Sequence, residues 1–193
     1  KSSAASDVYK RQAGDLEIPA EIDGKTVTSM GYYSFSYCAN LTSVIIPNGV
    51  ANIGDNAFGN CEKLENITIP SSVTNIGDRS FAGCENLTSV IIPNSVENIG
   101  YSAFDGCTSL AEITIPSSVT SIGGNAFLDT PWLAARQEEN PLVIVNGILL
   151  DGTTCTDEEI VIPNDVTSIC GFAFWENHMT SVVIPDSVTS IGS

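Results

Sequence analysis

Basic residues and histidine are scarce in this 193-residue sequence. It holds 7 Lys and Arg against 23 Asp and Glu, for a formal net charge of −16 at pH 7, and His178 is its single histidine. This surplus of negative charge argues against binding to nucleic acid and to anionic membrane surfaces, because both attract cations. No direct membrane insertion is expected for this stretch of chain. The acidic residues are scattered, which is typical of a solvated surface.

Motifs that carry chemistry are missing as well. The six cysteines include no C-x-x-C pair, and the sequence has no phosphate loop, G-x-S-x-G or paired-carboxylate motif. A catalytic His178 would need a nucleophile or an orienting acid held nearby, and nothing in the sequence places one. We interpret His178 as a surface loop residue. The sequence therefore predicts no enzyme, no metal site and no cofactor.

The sequence does contain a regular repeat. Its prolines at positions 47, 70, 93 and 116 are each 23 residues apart, within the pattern L-x-x-[VI]-x-I-P-x-x-V-x-x-I-G-x-x-[AS]-F-x-x-C. A fixed period of this size indicates a solenoid. About seven inward apolar side chains, at roughly 1.5–3 kcal/mol each, do not offset the backbone entropy of one repeat, at roughly 1–2 kcal/mol per residue. Neighbouring repeats must therefore stack.

The repeat at residues 64–86 shows how one unit should fold. In residues 64–69, LENITI, apolar and polar side chains alternate, which predicts a strand with one buried face. Pro70 ends this strand because it has no N–H to donate. Gly77 is predicted to turn a corner in a backbone conformation that suits glycine. The following Ser-Phe-Ala-Gly-Cys segment is predicted to form one helical turn.

The proline after the strand, the Ile-Gly corner and the A-F-x-x-C ending together resemble the BspA-like class of leucine-rich repeats. This class is found on surface proteins of bacteria and of some parasitic protists, and the resemblance covers about residues 15–193. The predicted fold is an α/β repeat: a right-handed leucine-rich repeat solenoid with one continuous parallel β-sheet, short second strands and helical turns. The sheet strands are predicted near residues 41–46, 64–69, 87–92, 110–115, 160–162 and 179–184.

The chain start does not belong to this pattern. Residues 2–12, SSAASDVYKRQ, resemble a translated sequencing adapter, although a disordered native tail is the alternative. Residues 1–12 are therefore predicted to be a non-native tail on a fragment of metagenomic origin, whose native ends lie outside this sequence. Residues 13–193 form the predicted leucine-rich repeat domain. Its repeats lie near 13–40, 41–63, 64–86, 87–109, 110–132 and 157–178, with an insert at 133–156 and a partial repeat at 179–193.

The insert has its own signals. Thr130 and Pro131 are a good helix start, with a capping hydroxyl and proline at the first helical position, and Asn140-Pro141 stops the helix. The following residues 142–151 read LVIV-NG-ILLD, and Asn-Gly between two apolar runs predicts a β-hairpin. Trp132 is interpreted as packing against the neighbouring coil, with a binding role as the alternative.

Four cysteines share one position of the repeat. Cys38, Cys61, Cys84 and Cys107 are each 23 residues apart, so they predict a structural column with parallel side chains. Parallel Cβ vectors suit a disulfide poorly, and we expect buried thiols that fill a small apolar slot. Cys155 lies outside this column, as does Cys170, and a bond between these two is left open.

The outward face of the sheet is the candidate binding surface. The family is implicated in adhesion and protein binding, and solenoids commonly bind on an extended concave surface. The resemblance implies a module of a bacterial cell-surface or secreted adhesin-like protein that binds a protein or glycan ligand through this sheet. The alternative is a structural spacer that presents another domain and has no ligand. The candidate residues are Ser43, Ile45, Asn66, Thr68, Ser89, Ile91, Glu112, Thr114, Glu159, Val161, Ser181 and Val183.

Outward apolar residues in this set are consistent with both functions. Ile45, Ile91 and Val183 are predicted to leave apolar side chains in the open, which can mark an interaction site. They could equally be present because β-branched residues suit strands.

Overall fold

Each repeat folds into one coil that contains two short strands. The computed structural model describes residues 14–192, so the predicted tail at residues 1–12 lies outside the described residues. The first strands are Gly14–Glu17, Leu41–Ile45, Asn66–Thr68, Ser89–Ile91, Glu112–Thr114, Glu159–Val161 and Ser181–Val183. The second strands are Ser29–Met30, Asn52–Ile53, Asn75–Ile76, Asn98–Ile99, Ser121–Ile122, Ile148–Asp151, Ser168–Ile169 and Ser190–Ile191. We number coils 1 to 8 by these second strands.

The coils stack so that equivalent strands lie side by side and parallel. Ser43 pairs with Asn66 in the first strands, and Asn52 pairs with Asn75 in the second strands, each at a separation of one repeat. Side chains alternate as predicted, with Val44 buried and Ile45 exposed. The chain is therefore a parallel β-solenoid, as the spacing of the prolines predicted.

The prediction of one continuous sheet of first strands is wrong. Within residues 14–192 the first strands form three separate hydrogen-bonded groups, from coils 1 to 3, coils 4 and 5, and coils 7 and 8. The break between coils 3 and 4 opens a polar cleft of about 350 Å³, lined by Glu65, Asn66, Asn86, Thr88 and Ser109. The second break falls where the chain between coils 5 and 7 departs from the repeat.

The backbone hydrogen bonds just before the first strand differ between the two junctions. The amide of Glu65 donates to the carbonyl of Thr42 at 2.8 Å, one full repeat earlier, and thereby brings coil 3 onto coil 2. At the next junction the amide of Asn86 donates to the carbonyl of Glu62 at 3.1 Å. Its acceptor is not Lys63, which lies one full repeat earlier, but the residue before it. Coil 4 thus meets coil 3 before its strand begins, and polar side chains occupy the opening that follows.

The second strands carry the longer ladder. Those of coils 1 to 5 form one uninterrupted five-stranded parallel sheet, and those of coils 6 to 8 form another group with the strand Val143–Val145 at its edge. In most coils the second strand is only two residues long. The continuous sheet predicted for the first strands is therefore found on a different face of the solenoid.

A third face consists of turns rather than the predicted helical turns. In coil 3 the amide N–H groups of Arg79, Phe81 and Gly83 each donate to a carbonyl oxygen of coil 4 at 2.8 Å. The amides between them close turns within their own coil, as the amide of Ala82 does to the carbonyl of Arg79 at 3.2 Å. A helix would need every amide for its own bonds, so bonding between coils replaces it here.

In coils 1 to 5 and in coil 7, two residues of this turn face adopt a left-handed backbone conformation. The first position holds Tyr33, Asn56, Arg79, Ser102, Asn125 and Phe172; the second holds Tyr37, Asn60, Gly83, Gly106, Asp129 and Glu176. Asn, Asp and Gly tolerate this conformation best. The residues that depart from this preference are considered further below.

The corner glycine has a different role from the predicted one. Gly77 does not have a left-handed backbone, so conformational freedom is not its reason. A Cβ atom at Gly77 would instead lie 2.5 Å from Oδ1 and 2.8 Å from the backbone nitrogen of Asp55 in the preceding coil. Gly100 meets Asp78 in the same way. These glycines are needed because the backbones of adjacent coils approach each other closely.

The core runs along the solenoid as columns of identical side chains. Phe35, Phe58, Phe81, Phe104 and Phe127 stack nearly parallel, with ring centroids 5.2–5.7 Å apart. The central three are fully buried. Buried leucine, valine and isoleucine columns line the same interior, so each coil covers the apolar surface of the next.

The region between coils 5 and 7 contains a helix and an antiparallel strand pair. The helix spans Pro131–Glu139, and the Thr130 side chain caps it by accepting a hydrogen bond from the amide of Leu133 at 3.2 Å. Val143–Val145 pairs antiparallel with Ile148–Asp151 around Asn146 and Gly147, both left-handed. A second antiparallel pair in coil 1, Glu21–Ile22 with Lys25–Thr26, turns at Asp23 and Gly24.

Because adjacent coils approach closely at the corner, replacing the corner glycine by alanine should have different effects in different coils. Gly77→Ala should lower the free energy of unfolding by about 1–3 kcal/mol, because the added methyl overlaps coil 2. Gly31→Ala, the same position in coil 1, should change it by less than about 0.5 kcal/mol, since no atom lies within 4 Å of the added Cβ. Urea unfolding of both variants measures this. Equal losses of stability in the two variants would show that each glycine is needed for the conformation of its own coil and not for contact with the preceding coil.

Candidate binding surface

The outward side chains of the first strands form two columns. The polar column contains Ser43, Asn66, Ser89, Glu112, Glu159 and Ser181. The β-branched column contains Ile45, Thr68, Ile91, Thr114, Val161 and Val183. All twelve are exposed except Ser43, which is half-buried. The strand pairs bring the predicted residues together in three groups of four, from coils 2 and 3, coils 4 and 5, and coils 7 and 8.

Four aliphatic side chains of the β-branched column point into solvent. Ile45 is 48% exposed, Ile91 75%, Val161 60% and Val183 47%. The inward neighbours of Ile45, Ile91 and Val161 are almost completely buried, as Val90 shows at 2%. The exposure of these three side chains is therefore a property of this face and not of loose packing. Val183 differs, because it lies in coil 8, where Ile184 is itself 43% exposed.

The face extends into coil 1, which the set of predicted residues did not include. Asp15 pairs with Ser43 and Glu17 pairs with Ile45, so both belong to the same two columns. The Ser43 hydroxyl donates to Asp15 Oδ1 at 2.6 Å and the Thr42 hydroxyl donates to it at 3.3 Å. The repeat period could have found both acids, since Ile18-Pro19 matches the Ile-Pro that ends the strand of each repeat.

The cysteine column is a series of buried thiols that bond to the preceding coil. Cys61, Cys84 and Cys107 are fully buried and free, and Cys38 is also buried. The Sγ atoms of Cys61, Cys84 and Cys107 lie 3.2–3.3 Å from a phenylalanine carbonyl oxygen of the coil before. Each thiol thereby satisfies a backbone acceptor at the interface between two coils.

Burial disfavours the thiolate form in this column. Burial raises the pKa of Cys107 to about 12 and that of Cys84 well above its ordinary value. The pKa of Cys61 is raised first by its hydrogen bond with the Cys38 side chain and then by burial. Because the thiolate is the nucleophile, these side chains are unsuited to catalysis.

The two cysteines outside the column do not form a disulfide with each other. Cys155 is a half-buried free thiol. Cys170 is a buried free thiol whose Sγ donates to the carbonyl of Ile122 at 3.1 Å, and burial raises its pKa to about 12. Asn177, at the position where coil 7 lacks its cysteine, donates to the carbonyls of Gly152 and Cys155 at 3.0 and 2.9 Å. An amide thus takes over the bonding role of the missing thiol.

His178 and Trp132 occupy different environments. His178 is exposed beside a surface depression of about 440 Å³ that includes Cys155 and Glu158. Trp132 is buried, with its ring 4.8 Å from that of Phe127. Within residues 14–192, no three His, Cys, Asp or Glu side chains are grouped to hold a metal ion. Nor does the described chain have a helix of the length and apolar character needed to cross a membrane.

Parallel coils of one repeat each, with a short first strand in nearly every coil, define a leucine-rich repeat solenoid. Residues 19–136 and 153–193 match the family described as the BspA type leucine rich repeat region, in six copies. The chain belongs to this family, which is a repeat region and not a catalytic family.

Solved structures of bacterial leucine-rich repeat proteins have a similar fold. A protein from Bacteroides ovatus ATCC 8483 has a TM-score of 0.63 and 32% identity, over 93% of this chain and 48% of that one. The T. pallidum leucine-rich repeat protein has a TM-score of 0.61 and 26% identity, over 92% and 72%. A protein from Eubacterium ventriosum ATCC 27560 has a TM-score of 0.57 and 25% identity, over 93% and 50%.

This chain spans about half the length of the Bacteroides and Eubacterium proteins. The search of curated proteins found no match.

The raised thiol pKa values predict a loss of stability at alkaline pH. A buried thiol with a raised pKa stabilises the fold fully below its unfolded pKa, near 9.0, and this contribution is lost as pH rises toward about 12. At pH 10 each of Cys61, Cys84 and Cys107 should lower the free energy of unfolding by roughly 1.4 kcal/mol relative to pH 7.

Urea unfolding of a Cys84→Ala variant at both pH values provides the check. Its alkaline loss should be smaller than that of the original chain by about 1.4 kcal/mol, since one titrating thiol has been removed. The same alkaline loss in both proteins would mean that the Cys84 thiol is not buried as described.

Proposed function

We propose that this chain is a binding module of a bacterial cell-surface or secreted adhesin-like protein, and that it binds a protein or a glycan through its first-strand face. The observation that carries the proposal is the exposure of Ile45, Ile91, Val161 and Val183 in one column. A β-branched residue suits a strand, but Thr68 and Thr114 of the same column meet that need without exposing a wholly aliphatic side chain. A partner that covers them removes this apolar surface from water.

The polar column supplies hydrogen-bonding groups, which an apolar surface alone lacks. Ser43, Asn66 and Ser89 offer hydroxyl and amide groups beside the aliphatic side chains, and Glu112 and Glu159 add negative charge. Hydrogen-bonding groups beside apolar contacts are the usual composition of a recognition surface. The carboxylates and the net charge of −16 make a polyanionic ligand such as nucleic acid unsuitable.

The shape and location of the surface belong to the same proposal. We infer that the solenoid is right-handed, because connections between parallel strands of one sheet almost always are. We infer too that the first-strand face is concave, which would let one ligand contact several coils. The location at the cell surface rests on the family, and the absence of catalytic motifs supports a role in binding rather than catalysis.

Replacing the exposed isoleucines by lysine tests the face directly. The Ile45→Lys, Ile91→Lys double variant should lose binding, with each lost anchor costing about 1–2 kcal/mol if a partner covers it. Its thermal stability should change little, since both side chains face solvent. Binding is measured against an array of purified extracellular-matrix proteins and oligosaccharides, together with thermal melts of each protein.

A charge-matched control separates contact from electrostatics. Asn98→Lys with Ser121→Lys introduces the same two charges at exposed positions of the second strands, and this variant should bind as the original chain does. Equal binding by all three proteins would remove the first-strand face as the site. No binding by any of them would favour the spacer function, in which the repeats only hold another domain at a distance.

A further inference from the structure

On the turn face, the side chain of Tyr101 meets two aromatic side chains of coil 7, Phe172 and Trp175. The ring centroids of Tyr101 and Phe172 are 6.0 Å apart, with an interplanar angle of 53°. Those of Phe172 and Trp175 are 5.5 Å apart, with an angle of 60°. Trp175 is 60% exposed and Phe172 is 39% exposed. We call these three residues the aromatic patch; it does not overlap the first-strand face.

Glycines bring the patch together. A Cβ atom at Gly124 of coil 5 would collide with the backbone of Gly171 in coil 7, so the two backbones are in direct contact there. No side chain can stand between them, and the Tyr101 ring of coil 4 reaches that of Phe172. The patch thus spans the region where residues 133–156 interrupt the repeat.

The backbone conformation does not favour Phe172. It is left-handed, with φ of 62°, at a position that holds Asn56 and Asn125 in coils 2 and 5, although coil 1 has Tyr33 there. A bulky residue is disfavoured in this conformation, whereas asparagine tolerates it. At Trp175 a large apolar ring is left mostly in water, although single exposed aromatics are common and only their clustering is informative. Phe172 is thus disfavoured by its backbone conformation, and part of its apolar ring is also exposed to water.

The arginines of this chain show that guanidinium groups pack on its aromatic rings. Its described part contains two arginines, and both guanidinium groups lie over aromatic rings: Arg79 is 5.5 Å from the centroid of Tyr101, and Arg136 is 4.7 Å from that of Trp132. The faces of aromatic rings attract cations, and tryptophan attracts them most strongly. Trp175, the most exposed ring of the patch, has only the Phe172 ring as an aromatic neighbour within the described residues.

The charge around the patch also favours a cation. Glu176 follows Trp175 directly, and Asp129 occupies the same repeat position as Glu176 in coil 5. Arg79 opposes this field, but the net charge of the chain is −16. Aromatic faces beside carboxylates complement a positively charged planar group.

We propose that the aromatic patch is a docking site for an arginine-bearing segment of a partner protein. The guanidinium group of the partner stacks on Trp175 and Phe172, and Glu176 contributes an attractive charge. This site is separate from the face assigned above, so the chain would contact a protein on two sides. The carboxylates would repel a polyanion, and a neutral glycan would not gain the charge attraction that a guanidinium group gains.

The two tryptophans allow a residue-specific measurement. The probe is a capped hexa-arginine peptide, added to the ¹⁵N-labelled chain while the two indole N–H signals are followed by NMR. The exposed Trp175 signal should shift in a saturable manner, and the signal of the buried Trp132 should not. A hexalysine peptide should bind more weakly, because an ammonium group does not stack as guanidinium does. A neutral hexasaccharide should cause no shift.

Three variants separate docking from general attraction and from folding. Trp175→Ala should weaken hexa-arginine binding by about 3- to 10-fold, whereas Tyr37→Ala, which removes a similarly exposed ring at the other end of the chain, should leave it unchanged. Phe172→Asn places a favoured residue in the left-handed conformation, which offsets part of the lost ring contacts, so it should still fold and should bind more weakly.

Any of the following results would overturn the proposal. In one, hexa-arginine leaves the Trp175 signal unmoved. In another, it binds the original chain and Trp175→Ala equally, which would show attraction to the acidic surface as a whole. Equal weakening by Tyr37→Ala would show the same. A shift of Trp175 by the hexasaccharide but not by the peptide would assign the patch to a different class of ligand.

Discussion

Contact between successive coils is the interaction on which this structure depends. A single coil has two open apolar faces and no interior of its own, so only stacking removes the leucine, valine and phenylalanine columns from water. The contact is made at backbone distance, since Gly77 and Gly100 leave no room for a side chain against the preceding coil. The Cys84 thiol and the alternate amides of the turn face bond across the same interface. Any change that separates two coils therefore acts on all of these interactions at once.

The parts of the fold that one repeat encodes were predictable from sequence. Period-two alternation separates buried Val44 from exposed Ile45, and the constant repeat length places equivalent strands side by side. The parts that depend on how two coils meet were not. The role of Gly77, the bonding of the turn face and the break before coil 4 are properties of the interface. The pattern of one repeat contains no information on whether the amide of Asn86 bonds to Glu62 or to its neighbour in the chain.

The same distinction holds for the surfaces. The outward residues of the first strands follow from alternation, and the register extends them to Asp15 and Glu17. The aromatic patch is not visible in the sequence, because Tyr101 and Trp175 come from coils 4 and 7 and are brought together only where Gly124 meets Gly171. Each surface nevertheless depends on stacking, since its residues belong to different coils and have no fixed spacing without it.

Native-state hydrogen exchange tests most directly which faces hold the coils together. The account predicts slow exchange for the amides of Gly100 and Phe81, which donate to a neighbouring coil at 2.8 Å on the corner and turn faces. It predicts fast exchange at Thr88, which lines the cleft between coils 3 and 4, and slower exchange at Glu65, its equivalent in coil 3. Protection of Thr88 equal to that of Glu65 and Phe81 would contradict the account, because it would mean that the first strands form one continuous ladder.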